Sequence, residues 1–172
     1  AFVHAALVGY IANFVFGISL RSVSAFLALP PARLNVNRLS LVALNVGVAL
    51  TTVASLYDLV HGVLVVGALL ELAGFAGFVA ALRLYSGRIR PRNYTLKAYA
   101  RYEWYLRTAY AWLVVAGILQ VWNAVAIAWQ DIGPPSSLAA PALHVLALGF
   151  VTMVIMGMAS RMLPLFEGAV LP

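Results

Sequence analysis

The chain contains no cysteine, and only 9% of its 172 residues carry a charged side chain. The first absence excludes disulfides and thiolate metal sites. The second excludes an ordinary soluble domain, whose composition is about one quarter charged. Acidic residues are the scarcest, with five Asp and Glu against eleven Lys and Arg. No nucleotide-binding loop, nucleophile triad or zinc motif is present. The basic excess, with a pI near 10.1, is the kind that marks cytoplasmic loops of a membrane protein and does not call for nucleic acid.

What is abundant is apolar: 64% of the residues are hydrophobic and the mean hydropathy is +0.96. A hydrocarbon layer of about 30 Å is crossed by about 20 helical residues. Five runs reach that length, at residues 2–29, 39–57, 59–84, 99–130 and 142–165. They predict an all-α, polytopic transmembrane bundle of five spans in a lipid bilayer, forming a single transmembrane domain over residues 1–172. The breaks are "PPARLNVNR", the tight "LYDLV", "YSGRIRPRNYTLKAYAR" and "QDIGPPSSLAAP", whose Pro, Gly and Asn interrupt helices. The chain begins with Ala and ends soon after a repeated motif. It reads as a segment of a longer chain, completed by further helices or by partner membrane subunits.

Alternating spans place the Arg33/Arg38 loop, the Arg83–Arg101 loop and the C-terminal end on one face, side B, and the turns at Asp58 and Asp131 on the other, side A. Basic residues collect on side B, which predicts that side B is cytoplasmic, with the N-terminal end outside and the C-terminal end inside. Aromatic residues from Tyr99 to Trp112 and at Trp122 and Trp129 form two belts on the fourth run. Glu103 and Arg107 stand four apart, in the favourable order for a helical ion pair.

Two of the three histidines head matching segments: "HAALVGYIANFVFGISLRSVSAF" from His4 and "HVLALGFVTMVIMGMASRMLPLF" from His144. At an offset of 140, His4, Gly9, Gly17, Arg21 and Phe26 match His144, Gly149, Gly157, Arg161 and Phe166. The offset spans four helices and implies an internal four-helix repeat. Gly9, Gly17, Gly149 and Gly157 lie on stripes suited to close helix packing. Arg21 and Arg161 lie about 25 Å along the axis from the histidines and are read as cytoplasmic anchors.

His4, His61 and His144 all fall near side-A ends of parallel spans, so three imidazoles could meet there. Neutral imidazole ligates haem iron and copper, whereas an interfacial histidine can equally well bind water or a headgroup. Glu71 lies about 20 Å into the third span on ideal rise. Such a carboxyl is expected to be protonated, paired across helices, or part of a proton path. Asn45, Gln120 and Asn123 are its candidate partners.

"HVLALGFVTMVIMGMASRMLPLFEG" resembles a signature segment of the NnrS family, bacterial membrane proteins that contain haem and copper and are linked to the nitric oxide response. The matched features are His144, Gly149, the Met153–Gly157 core and Arg161. The likeness is specific over about 25 residues and loose elsewhere. The first copy and the four-helix spacing are also similar to the plan of the haem-copper oxidase main subunit, three groups of four helices. The second span has no histidine and no His-Pro-Glu motif occurs, so a dioxygen-reducing centre does not follow. The resemblance implies an inner-membrane protein binding haem b, and copper as a further metal, through His4, His144 and His61, in nitric oxide handling or membrane redox chemistry. Two other classes stay open: a transporter with a parallel repeat and Glu71 as proton carrier, and a structural membrane subunit without cofactor.

Overall fold

The computed structural model describes residues 2–57, 61–86, 101–130 and 138–166. Five of its helices are long and apolar enough to cross a membrane, and no strand occurs among the described residues. We label them α1 (Phe2–Phe26), α2 (Leu34–Tyr57), α3 (His61–Leu82), α4 (Arg101–Gln130) and α5, which runs from Ala139–His144 through Val145–Thr152 to Met153–Phe166. Asp58, Asp131, Arg88, Arg90, Arg92 and Lys97, which the topology reading used, lie outside the described residues.

The boundaries shift where polar residues join helices. α2 begins at Leu34, five residues ahead of the predicted Leu39, because "LNVNR" winds into its first turns: the Asn37 amide donates to the Arg33 carbonyl at 2.9 Å, and the Asn37 side chain is buried. α1 ends at Phe26, short of Leu29. There Ala28 turns into the left-handed region at φ 49°, and the Leu29 amide closes back on Ser24 at 3.0 Å. α5 starts three residues early, with Pro141 in its first turn, where no intrahelical donor is lost.

Consecutive helices pack antiparallel. Along α2 and α3, Ser40, Leu44 and Gly47 face Gly77, Gly74 and Gly67 in turn. Tyr102 Oη donates to the Phe26 carbonyl and Tyr110 Oη to Ser19, so α4 runs against α1. Gly149 abuts Trp112 and Gly157 abuts Leu106, so α5 runs against α4. α1 and α5 are therefore parallel. At the bundle centre Phe16 stacks on Phe78 with ring centroids 3.7 Å apart and meets Phe75 and Phe150 edge-on, while Tyr110 packs on Phe150. All five rings are fully buried.

Both histidine-headed segments turn π-helical one residue after the histidine, over Ala5–Ala12 and Val145–Thr152. These stretches keep the 140-residue offset in sequence. In space the register differs: Phe16 meets Phe150, which is 134 positions on. That contact lies six residues off the 140-residue register of the matched segments.

Candidate functional site

The site begins with the seam between α2 and α3. A β-carbon on Gly47 would stand 2.7 Å from the Gly67 carbonyl oxygen and 2.8 Å from Glu71 Cγ. One on Gly67 would stand 2.7 Å from Thr51 Cγ2. Only backbone without side chains lets the helices approach so closely, a common solution in membranes, where packing replaces the hydrophobic drive. The approach delivers Glu71 to Thr51, whose hydroxyl donates to Glu71 Oε1 at 2.6 Å.

α1 completes the cluster. His4 Nε2 lies 2.9 Å from Glu71 Oε1 and 3.2 Å from Thr51 Oγ1. With Nε2 protonated, the imidazole donates to the same carboxyl oxygen that Thr51 holds. Glu71 has no exposed surface, and the His4 side chain is 21% exposed. The second carboxyl oxygen, Oε2, is buried without a hydrogen-bond partner. An unmatched buried acceptor costs about 1–3 kcal/mol, so its persistence needs a reason.

A cavity of about 430 Å³ supplies the setting. Glu71, His4 and Thr51 line it from one side, and Gln120 and Asn123 of α4 from another. Gln120 is only 8% exposed, and neither end of its amide has a partner; Asn123 Oδ1 is likewise buried and unmatched. The remaining wall is apolar and reaches the side-A ends of α1 and α5 at Phe2, Val3 and Ala139. Toward side B, Phe75 lies one turn beyond Glu71 on α3 and belongs to the buried aromatic layer with Phe16, Phe78, Tyr110 and Phe150. Among the described residues the cavity thus lies toward the side-A ends of the helices, with the aromatic layer on its side-B flank.

Of the residues singled out in the sequence, the structure joins His4 to Glu71 and brings Gln120 and Asn123 into the same cavity. Asn45 is engaged elsewhere, exchanging side-chain hydrogen bonds with Asn13 at 3.1 and 3.2 Å. His61 opens α3 half-buried, and neither it nor His144 lines the cavity. His144 is exposed on α5, its Nδ1 donating to the Ala140 carbonyl at 2.8 Å. No group of three or more His, Asp or Glu side chains among the described residues is placed to hold a metal ion. Gly9, Gly149 and Gly157 face Val48, Trp112 and Leu106, whereas Gly17 is exposed with nothing within 4 Å of a built β-carbon. Arg21 is exposed toward side B, and the Arg161 guanidinium sits 5.4 Å over the Tyr102 ring.

Thr51 had no mark in the sequence, since threonine is unremarkable in an apolar helix. Its one local signal is Gly47, a turn before it, with Gly67 and Glu71 repeating the four-residue spacing on α3. No family model, curated protein or solved structure matches this chain.

Proposed function

We propose that the chain is a membrane protein of the transport class, in which a proton or small cation entering from side A is held at Glu71. The observation that carries this reading is the wholly buried carboxyl whose Oε1 is held by Thr51 and His4 while Oε2 is buried without a partner, on a residue that helps line the cavity. Ionisable groups within membrane spans are costly and mark ion or proton pathways. Thr51 and His4 orient the carboxyl, and Oε2 remains free to take a proton or face a cation. The aromatic layer around Phe16 blocks onward passage, so release toward side B requires that layer to part, as alternating access demands. With side B cytoplasmic by its arginines, in a bacterial inner membrane, the cavity lies toward the outer face.

The test is proton flux into liposomes containing the purified protein, followed with an internal pH-sensitive dye under an imposed gradient. Flux above that of protein-free liposomes, abolished by Glu71→Gln and reduced by Thr51→Val, is the expected result. Equal flux in the wild type and Glu71→Gln would overturn the proposal.

One observation favours a second reading, haem binding in the manner of the NnrS family. The hydrogen bond from His144 Nδ1 to Ala140 orients the ring and leaves Nε2 as the ligating nitrogen, the arrangement in which histidine holds a metal. His144 therefore fits a haem ligand at an outward face of α5, and bound haem would supply redox chemistry there. His4 fits less well, because its Nε2 is engaged by Glu71 and Thr51. For copper, the described residues offer no ligand cluster. A Soret band in the purified protein, lost in His144→Ala and kept in Arg161→Ala, is the outcome this reading demands. A protein that stays colourless after reconstitution with haem rejects it.

A further inference from the structure

The Glu71 carboxyl is closed to solutes and joined to other groups by hydrogen bonds alone. Its side chain has no exposed surface, and Oε2 is buried without a partner, so nothing dissolved in the cavity touches either oxygen as the bundle stands. Among the described residues two side chains reach it, both at Oε1: the Thr51 hydroxyl at 2.6 Å and His4 Nε2 at 2.9 Å. Thr51 is itself buried, and its single hydroxyl proton is already given to Oε1.

His4 differs in both respects. Its side chain is 21% exposed, and it lines the cavity. Its contacts with Glu71 and Thr51 are made by Nε2. The other ring nitrogen, Nδ1, makes no hydrogen bond among the described residues and is not one of their buried unpartnered atoms, so it keeps accessible surface. The imidazole therefore bridges the boundary of the sealed carboxyl. Of the described residues that line the cavity, His4 and Glu71 alone are titratable.

A ring with two nitrogens can accept a proton at one and give up a proton at the other. A hard cation has no such route, because it is held by direct contact with oxygen atoms, and both carboxyl oxygens are covered. We infer that Glu71 exchanges protons and no larger ion, and that these protons pass through the His4 ring. This rests on the reading of Glu71 as the ion-holding group and narrows its ion to the proton. In the step, a hydronium ion in the cavity gives a proton to Nδ1, the N–H bond at Nε2 breaks, and that proton forms an O–H bond at Oε1. Water, a neutral ring protonated at Nδ1 and a neutral carboxyl remain, and the delivered positive charge has cancelled that of the carboxylate. The reverse steps return the proton to the cavity.

The test compares proton entry and radioactive sodium entry in liposomes containing the purified protein, each under its own imposed gradient. Proton entry above that of protein-free liposomes, with sodium entry equal to theirs, is expected. His4→Gln separates relay from positioning, because the glutamine amide can donate an N–H to Oε1 but cannot carry a proton across itself. Its proton entry should fall about tenfold or more. Sodium entry that depends on Glu71 overturns the proton assignment. Proton entry that is lost in Glu71→Gln but unchanged in His4→Gln overturns the relay alone. Should His4→Gln fail to fold, infrared difference spectra after an acid jump decide, recorded on His61→Gln/His144→Gln protein, in which His4 is the one imidazole left of three. The band of the protonated Glu71 carboxyl, identified by its loss in Glu71→Gln, should rise with the same time course as a change in the imidazole bands. A carboxyl band that rises without that change overturns the relay. Proton entry equal in the wild type and Glu71→Gln removes the reading on which the inference rests.

Discussion

Gly47 of α2 and Gly67 of α3 lie so close that a β-carbon on the first would stand 2.7 Å from the carbonyl oxygen of the second. Gly67→Ala would push its new methyl against Thr51 Cγ2 and the Thr51 amide, neither of which can yield without moving α2. Overpacking of this kind costs about 1–3 kcal/mol. The variant should unfold more readily in denaturing detergent and lose proton flux, since Thr51 and Glu71 would be drawn apart. Gly17→Ala, with open space around it, should change neither. If the two substitutions behave alike, the seam does not set the site.

The end of α1 allows a gain in stability. Ala28 adopts φ 49°, a conformation that glycine reaches freely and alanine does not. Ala28→Gly should therefore stabilise the protein by about 1 kcal/mol, seen as a raised midpoint in thermal unfolding. An unchanged or lowered midpoint would mean that the left-handed turn carries no strain.

Tyr85, in the turn after α3, donates to the Arg107 carbonyl at 2.9 Å. Burial raises its pKa above the ordinary value, and the nearby Arg107 charge opposes that only in part. Because the unfolded phenol loses its proton first, near pH 10, stability should be flat below that pH and decline above it as the phenolate form gains weight in the unfolded state. Comparing the wild type with Tyr85→Phe isolates this increment: the difference between them should shrink above about pH 10. A difference that stays constant across that range contradicts the assignment.

The absence of cysteine makes topology directly testable. Pro31 lies exposed between α1 and α2 on side B, and Tyr57 lies exposed at the side-A end of α2. In intact cells a membrane-impermeant thiol reagent should label Tyr57→Cys and spare Pro31→Cys until the membrane is opened. The reverse pattern would invert the orientation, and with it the side from which the Glu71 cavity fills.

The five helices were legible in the sequence because hydropathy over a window of span length is a local property, and so was the singularity of Glu71, an acid amid apolar neighbours. The partnership of Glu71 was not. Position along a helix gives depth relative to that helix's own ends, and on that measure His4 belongs at the side-A rim and Glu71 far below it. Tertiary packing sets His4 level with Thr51, six residues inside the end of α2, and with Glu71, ten residues inside the start of α3. The Phe16–Phe150 contact likewise falls six residues off the 140-residue register of the matched segments. Sequence alone determined which residues are apolar, where helices can end and which side chains can ionise. How far each helix slides along its neighbours depends on what its glycines meet, here Gly47 against Gly67 and Gly149 against the Trp112 side chain, and only the folded bundle decides those meetings.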